Sequence, residues 1–148
     1  MRTVKHQMSS YSTTNTKCHH QLYIYDPHYS NLWIYYNLSF YYISSQWRSW
    51  SDSKQDCEQR GANLIIINNQ EEQEFVLKAT AGQLIWIGLS KEGEVWKWDD
   101  GTTLTLSFWM NGYPKSDNQY CAVISSSGWA DYSCGYTNRW ICEKRILQ

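Results

Sequence analysis

The spacing of apolar residues changes repeatedly along the chain, and each change marks an element. Residues 1–31 are polar and aperiodic, rich in Ser, Thr, His and Asn, which predicts a poorly ordered segment or the remnant of a neck. From Leu32 the text turns to Tyr, Ile and Trp, and Leu32 to Ser44 predicts one or two strands. A domain is therefore expected over residues 32–148. Ser49 and Asp52 then approximate a capping box, Trp50 to Arg60 contains neither Pro nor Gly, and Gly61 supplies a left-handed stop, so this run predicts a helix. Trp50 and Cys57, seven apart, share one face of it. A short apolar run, Leu64 to Ile67, precedes a second helix with Asn68 as N-cap, Glu71 and Glu72 in the first turn, Phe75, Val76 and Ala79 at helical spacing, and Gly82 at the end.

Beyond Gly82 no helical period is sustained. Leu84 to Leu89, Val95 to Trp98, Tyr120 to Ser125 and Arg139 to Glu143 read as short strands, and Asp99-Asp100-Gly101 as a turn. Helices first and short strands after them predict an α+β domain with antiparallel sheet. Between Thr102 and Gln119 lies a long stretch rich in Asn, Ser, Gly and Pro, and a loop of that length inside a compact domain is usually functional.

Composition narrows the function. A length of 148 residues suits one domain. With 13 Lys+Arg against 14 Asp+Glu the net charge is −1, so nothing attracts a polyanion and nucleic acid is a poor partner. Aromatic residues make up 16% of the chain while charged ones are only 18%, a balance that suits a recognising surface. Five cysteines in so short a chain point to an oxidising compartment. The first stretch, MRTVKHQMSSYSTTNTK, carries no apolar core of a leader peptide, and Leu32 to Ile43 is too short to span a bilayer and is interrupted by Asn37 and Ser39. The expectation is a missing upstream exon or a misassigned start, with the protein itself at the cell surface or outside it.

Four motifs in order, Trp86-Ile87-Gly88-Leu89, Trp96 to Thr102, Trp129 to Cys134 and Trp140 to Lys144, then resemble one family, the C-type lectin-like domains, over about Leu32 to Lys144. Trp86-Ile87-Gly88-Leu89 resembles its WIGL strand, and Trp96-Lys97-Trp98-Asp99-Asp100-Gly101-Thr102 its W-x-W-x-D-G-T hairpin. Trp129-Ala130-Asp131-Tyr132-Ser133-Cys134 sits where its W-N-D-x-x-C lies, and Trp140-Ile141-Cys142-Glu143-Lys144 is similar to its closing strand. Tyr41-Tyr42-Ile43-Ser44 leading into Trp50 is similar to immune-cell receptors of the dendritic-cell and natural-killer type. Four cysteines allow three pairings. The resemblance implies Cys57 with Cys142 and Cys121 with Cys134, a C-type lectin-like fold of two helices and short antiparallel sheets, and a long recognition loop. Cys18 is left over and is expected to be unpaired, part of a mispredicted exon, or intermolecular, in which case it would give a homodimer. Cys18-His19-His20 makes no metal site, because three adjacent ligands do not easily reach one tetrahedral ion and no fourth is nearby.

Sugar-binding members hold Ca²⁺ in the long loop through a Glu-Pro-Asn or Gln-Pro-Asp triplet, a Glu before the cysteine that follows, and the Asn-Asp of W-N-D. A hard cation needs six to eight oxygens, carboxylates among them. Here the triplet reads Tyr113-Pro114-Lys115, the Glu position is Gln119 and the Asn is Ala130, so only Asp131 survives. Neither a calcium cofactor nor another metal is expected, although Asp117 and Asn118 would supply oxygens in a shifted register. Asp131 is expected to cap or turn the loop. The loop residues Asn111, Tyr113, Lys115, Asp117, Asn118 and Asp131 are the candidate ligand-binding set, with Trp109 and Trp129 as core. Asn37-Leu38-Ser39 is a glycosylation sequon. The predicted function is calcium-independent recognition of a protein or glycan by an immune-type cell-surface receptor, with a calcium-dependent lectin as the alternative. Catalysis is not expected: all four His lie at or before residue 28, and the resemblance commits four of the cysteines to disulfides.

Overall fold

A computed structural model describes residues 21–26 and 31–146, the side chains of 21–26 and 31 excepted. Cys18, and with it the Cys18-His19-His20 cluster, lies outside the described residues. Strands β1 (Gln21–Asp26), β2 (Asn31–Tyr36) and β3 (Ser39–Ile43) are followed by helix α1 (Trp50–Gln59), β4 (Asn63–Leu64) and helix α2 (Gln70–Thr80). Then come β5 (Ile85–Glu92), β6 (Val95–Trp98), β7 (Cys121–Ser125), β8 (Gly128–Tyr132) and β9 (Arg139–Arg145). They form one sheet in the order β1-β2-β3-β9-β5-β7-β8, with β4 on β9 and β6 on β5. The sheet is antiparallel except where β5 runs parallel to β9. No described helix is long and apolar enough to cross a membrane.

Three elements differ from the sequence expectation. β1 pairs with β2 from Gln21↔Tyr36 to Asp26↔Asn31, so the sheet reaches into a stretch that predicts no element. β8 is a full strand paired to β7, although its sequence reads only as a motif. The second helix starts one residue later than expected: Asn69, not Asn68, is the N-cap, and its side chain accepts from Glu72 N at 2.8 Å. Asn68 N instead donates to the Glu72 carboxylate, so both asparagines serve the same helix start. The first helix begins as predicted, with Ser49 Oγ accepting from Asp52 N, and turns at Gly61 with φ of 71°.

Alternation along the strands creates two cores, one on each face of the sheet. Ile85, Ile87 and Leu89 of β5, Ala122 and Ile124 of β7 and Ile141 of β9 pack with Phe75 and Val76 of α2. Their neighbours in the same strands, Trp86, Cys121, Val123, Trp140 and Cys142, pack with Cys57 of α1 and Leu64. Both faces of β5 are therefore covered, which is why Ile85 to Leu89 reads as an unbroken apolar run. Gly88 stands in that run for a steric reason. A Cβ there would lie 2.7 Å from Leu64 O and 2.8 Å from Ile65 O, because the Leu64–Ile67 segment crosses directly over β5. Cys57–Cys142 ties α1 to β9 and Cys121–Cys134 ties the start of β7 to the segment after β8, the pairing that the resemblance implies.

Candidate functional site

The segment between β6 and β7 is the long loop expected from sequence, and β8 holds it at two places. The loop leaves β6 through the Asp99–Thr102 turn. There Leu64 N donates to Asp99 Oδ2 and Thr102 N donates to Asp100 Oδ1, each at 2.9 Å.

The first attachment is aromatic. Trp129 N donates to Phe108 O and Met110 N donates to Trp129 O, both at 2.8 Å, so this arm of the loop lies along β8. Gly128 permits the approach: a Cβ would meet Phe108 O at 2.7 Å, and its φ is 124°. The Trp129 ring meets Trp98, Phe108 and Trp109 edge-on with centroids 5.5, 5.5 and 5.8 Å away. Its indole N–H donates to Gln73 Oε1 at 2.9 Å, so α2 fixes the ring that carries the loop. Trp129 is fully buried and Trp109 packs partly buried against the core, consistent with their assignment there. Gln73 belongs to none of the sequence motifs. Its signal is a polar residue on the buried stripe Gln73, Val76 and Thr80.

The second attachment is a pair of hydrogen bonds to one carboxylate. Asp131 is 2% exposed, and its Oδ1 accepts from Lys115 N at 2.9 Å while Oδ2 accepts from Ser116 N at 2.8 Å. Two successive backbone N–H groups thus converge on one carboxylate, a favourable seat for an anion. Ser116 in turn stabilises the next turn, where Asn118 N donates to its Oγ. The Tyr113–Pro114 peptide just before is cis.

Of the six candidate contacts, Asn111, Lys115, Asp117 and Asn118 are exposed on the loop. Tyr113 is half-buried against the second core, with the Lys115 ammonium 5.2 Å from its ring centroid. Asp131 does not join them at the surface. Its carboxylate faces inward because the Lys115 and Ser116 amides need an acceptor, and it acts as an internal clamp, the capping role expected of it. The positions that supply oxygen to Ca²⁺ in the sugar-binding lectin-like domains read Tyr113, Lys115, Gln119 and Ala130, and each Asp131 oxygen already accepts a backbone N–H.

Comparison with known proteins agrees with this architecture. The profile of the family described as Lectin C-type domain matches residues 46–144. C-type lectin domain family 4 member M of Symphalangus syndactylus is 39% identical over 123 residues, which is 77% of this chain and 29% of that protein. The chain thus spans less than a third of the length of that relative. Among solved structures, the mouse scavenger receptor C-type lectin carbohydrate-recognition domain superposes with a TM-score of 0.74 at 31% identity, covering 82% of this chain and 98% of that one. A calcium-independent type II antifreeze protein superposes with a TM-score of 0.72 at 25% identity, covering 78% and 92%.

Proposed function

The chain belongs to the family of C-type lectin domains, and from that premise we propose that it is the extracellular ligand-recognition domain of an immune-type receptor, binding a protein or glycan without calcium. The observation that carries this reading is the clamp at Asp131. The carboxylate accepts hydrogen bonds from Lys115 N and Ser116 N, so the loop acquires its shape from hydrogen bonds within the chain. With no ion to complete its shell with sugar hydroxyls, recognition falls to side chains. Tyr113 offers a flat apolar face, Lys115 a cation above it, and Asn111, Asp117 and Asn118 an adaptable polar rim. That chemistry suits a ligand with an apolar or ring surface beside an acidic or hydroxyl-rich group. Two relatives of the fold support the two halves of the reading, one being a carbohydrate-recognition domain and the other calcium-independent.

Cys121 and Cys134 at the root of the loop are bonded to each other. A screen of the refolded full chain on a combined glycan and protein array, with calcium and with EDTA, tests the proposal. The same ligands bound with equal strength in both buffers, and lost on Lys115→Ala, support it; ligands bound only with calcium overturn it. The second reading, calcium-dependent sugar binding, rests on the exposed oxygens of Asp117 and Asn118, and the calcium-only outcome would favour it.

A further inference from the structure

The β2–β3 connection contains Asn37-Leu38-Ser39, and an Asn-x-Ser or Asn-x-Thr sequence occurs nowhere else in the chain. Tyr36 pairs with Ser39, so Asn37 and Leu38 alone form a two-residue hairpin turn, with φ of 46° and 66°. Asn37 is exposed at the tip, and Leu38 is 50% exposed. Ser39 is different: it is 5% exposed, paired to Tyr36 on one side and Arg145 on the other. The asparagine that would be modified faces solvent, while the hydroxyl residue that a transferase must read is sealed into the sheet.

We propose that Asn37 is an N-glycosylation site, modified before β3 docks between β2 and β9. The donor is a lipid pyrophosphate-linked oligosaccharide. The Asn37 Nδ2–C1 bond forms as the sugar C1–O bond to the pyrophosphate breaks; the amide loses a proton and the lipid pyrophosphate leaves with the bonding pair. The folded domain accommodates the product, because Asn37 is exposed in a turn whose backbone already has the conformation asparagine favours. Ile146 N donates to Leu38 O at 3.0 Å, which brings the 46%-exposed Ile146 beside the 50%-exposed Leu38. A glycan at the tip stands over this apolar pair. β9 and β5 separate β3 from β7 and β8, which carry the long loop, so the glycan leaves the recognition surface open.

The inference rests on the extracellular reading, and its test separates the two. The full chain is fused behind a cleavable secretory leader, expressed in a eukaryotic secretory host, and compared on gels before and after peptide-N-glycosidase. One discrete mobility step is expected, kept by Ser39→Thr and lost by both Ser39→Ala and Asn37→Gly. Glycine suits the turn, so the last variant folds while lacking the acceptor. A secreted chain with both disulfides formed, yet unchanged by the glycosidase, overturns the glycan proposal and leaves loop recognition standing. Timing has its own readout. With microsomal transferase and donor, the reduced and denatured chain should accept the oligosaccharide and the refolded, bridged chain should not; equal acceptance overturns modification before folding.

Discussion

At Asp131 a carboxylate that sequence marks as the surviving metal ligand becomes a clamp for Lys115 N and Ser116 N. Its identity is legible in the sequence; its orientation is not, because its partners lie 15 and 16 residues away across a loop without period. Replacing one oxygen with an amide donor would set that donor against a backbone N–H. Asp131→Asn should therefore cost about 1–3 kcal/mol in denaturant unfolding, the penalty of an unsatisfied buried group. It should also speed hydrogen exchange at the Lys115 and Ser116 amides; unchanged exchange there would contradict the clamp. A second buried acid, Glu143, accepts from Tyr41 Oη at 3.0 Å and from Ile66 N. Burial raises its carboxyl above the usual glutamate value, a push that Arg145, the Tyr41 hydroxyl and the Ile66 amide partly offset. Burial also pushes the Tyr41 phenol up, so it remains a donor. The folded state therefore holds the Glu143 proton more tightly than the unfolded chain does. That contribution is complete below the unfolded pKa of about 4.5 and is lost as pH rises through the folded value. Glu143→Gln, which cannot ionise, should gain stability relative to the parent between acidic and neutral pH, read from urea midpoints. A constant difference would contradict it.

Among elements, the ones with local signals were the legible ones. The Ser49 cap, the Gly61 stop and the spacing of Phe75 and Val76 place both helices from sequence, and only the choice between Asn68 and Asn69 slipped. β8 gave no strand signal because its five residues are held by β7 on one side and by the loop on the other, contacts that no local pattern encodes. β1 lies in a polar stretch of the sequence and acquires its role from backbone pairing with β2. The disulfides act on separate elements. Cys57–Cys142 has a sequence separation of 85 and Cys121–Cys134 one of 13, so chain entropy assigns them about 4.5 and about 3 kcal/mol. Replacing the first pair with serine should lower the unfolding free energy more than replacing the second. The second pair, at the root of the loop, should reduce ligand capture more than its stability cost implies. Equal loss of capture by both pairs, in proportion to stability, would show that the bridge does not shape the loop.

For the molecule as a whole, one sheet divides two cores and the long loop hangs from both. Trp129 inserts into the core shared with α2, and Tyr113 leans on the core shared with α1. The four motifs made this scaffold legible, since each owes its residues to the framework: Gly88 to the crossing of Leu64 and Ile65, Asp99 to the Leu64 amide, Trp129 to the aromatic cluster, Cys142 to the bridge with α1. The ligand was not legible, because the exposed loop residues are free of the packing constraints that write a pattern into sequence. The central claim is that this loop is held by Asp131 and aromatic packing in place of a cation. Thermal unfolding of the refolded full chain in millimolar calcium and in EDTA tests it most directly. The midpoints should coincide; an ion at 100 times its Kd would add about 2.7 kcal/mol, roughly 10 °C for a domain of this size, and a calcium-dependent rise of that order, reversed by EDTA, would contradict the account.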